Sequence, residues 1–125
     1  MRGSTPPSER RAQGIHSEEL ARAYLEQHGY RIVETNYLTK RGEVDIIAWH
    51  DDTLCFIEVR SVRDERYGSA LATITRTKQR RVIYAARHYL MRSGIDAVAM
   101  RFDALGITLE PLSYQLVTSA FQTDG

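Results

Sequence analysis

The chain of 125 residues predicts an α/β domain, a central mixed β-sheet flanked by α-helices, on three observations. Two segments place apolar residues at helical spacing, several short runs are rich in β-branched and aromatic residues, and the elements follow in the order α-β-β-β-α-β-β. A mass of 14.3 kDa has room for one core and not for two. Hydrophobic residues at 42% and charged residues at 26% set the chain among folded rather than disordered sequences.

The first residues, MRGSTPPSERRAQ, are polar and lack the apolar stretch of a secretory signal. They read as a loose tail over residues 1–13, with residues 14–125 forming the single domain. HSEELARAYLEQHG reads as a helix: Leu20, Ala21, Tyr24 and Leu25 form one stripe, Ser17 suits the N-cap and Gly29 the C′ position. At about 100° per residue, Glu18 lies beside the stripe while Glu19 points to water. YRIVETNY is a strand by composition, and LTKRG is a basic loop. GEVDIIAWH and TLCFIEVR form a hairpin about Asp51-Asp52, and SVRDERYGSALAT has no sustained period. RTKQRRVIYAARHYLMRSG is a second helix with Val82, Ile83, Ala86, Tyr89 and Leu90 inward and Gly94 closing it. DAVAMRFDALGITLE alternates as one or two strands, and SYQLVTSAF is expected to give a last strand and a short turn of helix.

The lone Cys55 forms no internal disulfide, and no apolar run approaches the roughly 20 residues that span a bilayer, so no membrane association and a cytoplasmic location are expected. Cys55, Trp49 and Phe56 read as core, and Arg101 with Asp103 as a structural pair. His16, His28, His50 and His88 show no metal-ligand spacing. The net charge of +1 hides an asymmetry: Arg60 to Arg92 carries nine basic residues against Asp64 and Glu65. Lys78, Arg80 and Arg81 in this run could hold a phosphate backbone, although a solvated helix face accounts for them equally well.

The hairpin raises the sharper question, because it carries Glu43, Asp45, Glu58 and Arg60 within apolar runs. With an even loop about Asp51-Asp52, Trp49 faces Leu54, Ile47 faces Phe56, Asp45 faces Glu58 and Glu43 faces Arg60, all on one side of the sheet. Val44, Ile46, Ala48, Cys55, Ile57 and Val59 then fill the other side. An odd loop would send Asp45 and Glu58 to opposite faces. Two carboxylates facing each other at about 5 Å repel, so they need a proton, a cationic side chain or a metal ion. Two solutions remain open: Arg60 as internal counter-ion, or a divalent cation such as Mg²⁺ held by the acids.

The spacing of Glu18, Asp45 and Glu58-Val59-Arg60 resembles the PD-(D/E)XK nuclease pattern, closest to Holliday-junction resolvases. More specifically, the chain resembles the YraN family of bacterial proteins over residues 14 to 121. The matching pieces include G-E-V-D-I-I-A at Gly42 to Ala48, F-I-E-V-R at Phe56 to Arg60, T-K-Q-R-R at Thr77 to Arg81 and R-F-D at Arg101 to Asp103. The resemblance implies a restriction-endonuclease-like fold, Mg²⁺ or Mn²⁺ as cofactor, and nucleic acid as ligand, with DNA favoured over RNA and a homodimer left open. It implies Glu18, Asp45, Glu58 and Arg60 as catalytic residues and Asp45 and Glu58 as metal ligands. Lys78, Gln79, Arg80 and Arg81 fall to nucleic-acid binding. Arg60 stands where the wider pattern has lysine; a guanidinium cannot act as a base but can hold a phosphate oxygen. The reaction expected is phosphodiester hydrolysis by metal-activated water, and the alternative is a non-catalytic nucleic-acid-binding or adaptor domain on the same scaffold.

Overall fold

The computed structural model describes residues 7–95 and 99–123. Helices α1 (Pro7–Gln27) and α2 (Arg76–Ser93) pack on one sheet of β1 (Tyr30–Leu38), β2 (Glu43–His50), β3 (Thr53–Asp64), β4 (Ala99–Glu110) and β5 (Leu112–Phe121). The strands lie side by side in sequence order, with β3 and β4 parallel and the other neighbours antiparallel. The long connection through α2 is what permits a parallel pair in an otherwise meandering sheet. This is the predicted α/β architecture, a mixed sheet flanked by helices, and it is consistent with a restriction-endonuclease-like fold. No helix among the described residues is long and apolar enough to cross a membrane.

Each helix covers one face. Ala21 and Leu25 of α1 close a cluster with Tyr30, Ile46, Ala48, Cys55, Ile57 and Leu105. Val82, Ala85, Ala86 and Tyr89 of α2 close another with Tyr37, Val44, Ile47, Leu54 and Phe56. The central strands are thus buried on both sides, which is why their sequences read as near-continuous apolar runs. Trp49 packs against the α2 cluster, and Phe56 and Cys55 are fully buried, as expected.

Some boundaries differ from the sequence reading. Helix α1 starts at Pro7, so residues 7–13 are helical; the rest of the expected tail, residues 1–6, lies outside the described residues. Ser17 therefore cannot cap the helix. It is buried, and its hydroxyl donates to Ser61 of β3 at 3.1 Å. Gly29 does end the helix with a left-handed φ of 89°. Strand β3 continues past the motif to Asp64, and short 3₁₀ turns at Glu65–Tyr67 and Ala70–Thr73 make the connection. Thr75 caps α2, accepting from the Lys78 N–H at 3.2 Å, and Gly94 closes it in the left-handed region. β4 is one strand, its expected first residues 96–98 lying outside the described residues, and β5 is strand throughout, with no helical turn over its expected span.

The Arg101–Asp103 pair is structural, as expected. Asp103 is fully buried and accepts from Arg101 at 2.8 and 3.0 Å, from the Tyr30 hydroxyl at 2.9 Å and from the Ser119 N–H at 3.0 Å. A buried carboxylate with four such donors is compensated for its lost hydration.

One glycine sets how near α2 lies to the sheet. A Cβ on Gly42, just before β2, would fall 2.0 Å from the Arg81 carbonyl oxygen. Only a residue without a side chain allows that approach, and backbone on both sides leaves nothing flexible to yield. Gly42→Ala is expected to destabilise the fold by about 1–3 kcal/mol, the cost of overpacking, measured as a lowered midpoint of chemical denaturation. An unchanged midpoint would show that the helix stands off freely.

Candidate active site

Whether the hairpin acids meet depends on its register. Asp51 takes a left-handed φ of 54°, a conformation that Asp tolerates better than most residues, and a two-residue turn results. Trp49 pairs with Leu54 and Ile47 with Phe56, as an even loop requires. The ladder then stops at Ile46 and Ile57. One step beyond, the Val59 N–H donates to Asp45 Oδ2 at 2.8 Å, so a side chain accepts where a backbone carbonyl would have done.

That substitution has a geometric consequence. Val44 was expected to share a face with Ile46 and Ala48, yet it packs in the α2-side cluster while they face α1. The alternation breaks between Val44 and Ile46, and Asp45 sits at the break. Its carboxylate therefore borders hollows on both sides. A small cavity of about 70 Å³ is lined by Glu43, Asp45, Glu58, Arg60, Lys78 and Arg81. A larger hollow of about 320 Å³ is lined by Ser17, Glu18, Asn36, Asp45, Arg60 and Ser61, among others.

Asp45, Glu58 and Arg60 thus converge, and Glu18 reaches the same neighbourhood through the second hollow. Glu18 is half-buried and Glu19 exposed, as their helical positions require. Arg60, expected to face Glu43 and to offset the hairpin acids, shares the small cavity with Glu43; its guanidinium forms an ion pair with Glu58 Oε2 and donates to its neighbour's carbonyl, Val59 O, at 3.2 Å. Lys78 and Arg81 line the small cavity, whereas Arg80 is exposed outside it. Gln79 does not reach the cavity either; its amide turns back to the Ile74 carbonyl at 3.5 Å.

Sequence reasoning gave no role to Asn36. Its amide donates to Glu18 Oε2 at 2.7 Å, from a backbone held at a left-handed φ of 53°. An asparagine inside a β-branched run was the available signal, since Asn is among the few residues at ease with positive φ.

Glu58 is the unusual group. It is buried, and its Oε1 finds no hydrogen-bond partner among the described residues. Burial first, and the Asp45 charge second, push its carboxyl from the ordinary 4.5 up to about 8, with Arg60 and Lys78 opposing. The two cations therefore offset only part of the cost of two carboxylates in one place. A hard divalent ion fits this donor set: Mg²⁺ takes one or two carboxylates and keeps several waters. Among the described residues no three His, Cys, Asp or Glu side chains form a metal-binding group, so Asp45 and Glu58 would hold the ion without a third protein carboxylate.

Residues 17–107 match the Uncharacterised protein family UPF0102, a span that includes both acids, Arg60 and all of α2. The chain belongs to the UPF0102 family. A UPF0102 protein of Chromohalobacter salexigens is 45% identical over 94% of this chain and 97% of its own length. One from Nitrosococcus oceani is 44% identical over 83% of this chain and 85% of its own, and one from Chlorobium phaeobacteroides is 38% identical over 89% and 94%. The resemblance read from the motifs is thereby established as membership, and the match extends from α1 through most of β4 of this UPF0102 chain rather than over the acidic hairpin alone.

The raised Glu58 carboxyl sets the sign of a pH effect. The folded state keeps this proton after the unfolded state has lost it, so stability falls as pH rises from about 4.5 to about 8 and levels above. In EDTA, Glu58→Gln should gain on the parent chain across that window, by up to about 1.4 kcal/mol per pH unit. Thermal unfolding from pH 5 to 9 checks this; a constant difference between the two proteins would show that Glu58 titrates normally.

Proposed function

We propose that this UPF0102 protein hydrolyses phosphodiester bonds in nucleic acid, in the cytoplasm, with Mg²⁺ or Mn²⁺ as cofactor. One observation carries the reading: a buried carboxylate oxygen, Glu58 Oε1, has no hydrogen-bond partner among the described residues and lies beside a second carboxylate and three cationic side chains. The Arg60 ion pair engages one Glu58 oxygen, and a site for a cation and a phosphate would give the other a use. A divalent ion at Asp45 and Glu58 would supply activation of water and neutralisation of charge on phosphorus.

The chain's own groups divide the remaining tasks. Asp45 is held in place by the Val59 N–H and lines the cavity beside Glu58. Arg60, which cannot release a proton, holds a non-bridging phosphate oxygen and stabilises the charge that grows on it. Lys78 and Arg81 approach from α2 and fix the backbone of the strand, with DNA favoured over RNA. Glu18, oriented by Asn36, accepts a proton or hydrogen bond from the attacking water on the α1 side.

A second reading has its own support. The Arg60–Glu58 ion pair would suffice as an internal counter-ion in a domain that binds nucleic acid without cutting it. Two measurements separate them. Cleavage of branched, nicked and single-stranded DNA with Mg²⁺ or Mn²⁺ is expected, and Asp45→Asn should reduce it at least about a hundredfold, as loss of a principal transition-state contact does. Cleavage that survives this substitution unchanged removes the hydrolytic assignment. Mn²⁺ should also raise the melting temperature, by the equivalent of roughly 2.7 kcal/mol at a hundred times its dissociation constant. Glu58→Gln should abolish the rise; binding of nucleic acid with no response to Mn²⁺ would favour the counter-ion reading.

A further inference from the structure

Helix α2 displays an aromatic side chain that the fold does not bury. Tyr84 is 39% exposed, and the Arg41 guanidinium lies over its ring at 5.9 Å from the centroid. Tyr89, one and a half turns on, is buried in the core, so the helix has an inward place for tyrosine and Tyr84 does not use it. Tyr84 follows Arg81 by three residues and Arg80 by four, and precedes Arg87 by three, which sets all four on adjoining positions of one surface.

The other half of the pair is just as fixed. Arg41 sits in the β1–β2 turn, where the Thr39 hydroxyl accepts from the Gly42 N–H at 3.1 Å and donates to the Gly42 carbonyl at 2.8 Å. Gly42 in turn rests on the Arg81 carbonyl. A braced turn and a helix therefore present a ring and a guanidinium together. The surroundings are basic: Lys40, Arg80, Arg81 and Arg87 are exposed, and none forms an ion pair among the described residues. Unpaired cations around a stacked ring and guanidinium have the complementary charge for a strand whose bases are free to stack.

We infer that Tyr84 and Arg41 form a stacking platform for an unpaired base of a nucleic-acid strand whose phosphates lie on Lys78 and Arg81. This deepens the reading above, on which it rests, and names the substrate class: strands with unpaired nucleotides beside the phosphate at the carboxylates. A duplex engages the same cations but keeps its bases stacked on each other, so the platform adds nothing to duplex binding.

The test measures binding of a short single-stranded oligodeoxynucleotide and of its blunt duplex, by fluorescence anisotropy at one salt concentration. Tyr84→Ala should weaken the single strand about tenfold and the duplex less than about twofold, since phosphate contacts remain. Tyr84→Phe should retain both affinities, because the ring and not the hydroxyl does the stacking, and Arg41→Met should weaken the single strand. Lys78→Ala should weaken both forms alike. If the parent chain binds both but Tyr84→Ala loses neither or loses both equally, the platform is refuted and the phosphate reading stands. If the parent chain binds neither, the nucleic-acid reading fails and the platform with it.

Discussion

Where the β2–β3 ladder ends, the Val59 N–H still needs an acceptor, and Asp45 supplies it from its side chain at 2.8 Å. A buried strand N–H left unpaired would cost about as much as a lost hydrogen bond. Asp45 is thus held by a demand of the sheet, independent of any ligand. The same bond places its carboxylate at the point where β2 changes face, between a hollow under α1 and a cavity under α2. Glu58, next to Val59 along β3, is fixed by the parallel pairing with β4. The positions of both acids therefore follow from backbone hydrogen bonding, which is the stiffest source of geometry that a small domain has.

The cavity between the sheet and α2 gathers Glu43, Asp45 and Glu58 from the hairpin with Arg60, Lys78 and Arg81 from β3 and the helix. Signs balance in number but not in contact. An ion pair joins Arg60 to one oxygen of Glu58, and the other oxygen is buried with no hydrogen-bond partner among the described residues. Charges that nearly cancel at a distance yet fail to meet leave room for ligands of both signs. Under the proposed function a cation would reduce the repulsion between the carboxylates, and a phosphate would occupy the cationic side chains.

The sheet, the helix-strand order and the hairpin register were legible because each rests on a local rule. An apolar stripe marks each helix, Asp51-Asp52 marks the turn, and period two then determines which residues oppose. The convergence of Asp45 and Glu58 followed from that arithmetic. What failed was the finer geometry. Period two cannot foresee that a side chain will replace a carbonyl at Asp45, so Val44 was assigned the wrong face. The early start of α1 was hidden because residues 7–13 lack an apolar stripe, so pattern gave no reason to extend the helix. Asn36 and Gly42 carry no motif that reveals which distant group each will touch, since those contacts exist only once α1 and α2 are packed on the sheet.

The parallel partnership at the middle of the sheet bears on the order of assembly. Strands β3 and β4 are joined through all of α2 and the two turns before it, so closing that loop loses chain entropy before the pairing returns any energy. The β2–β3 hairpin closes through two residues and can form early. Lys78 and Arg81 reach the hairpin acids only when α2 packs on the sheet. The hairpin carries its own cation, Arg60 beside Glu58, so the two cations of α2 complete the cavity rather than found it.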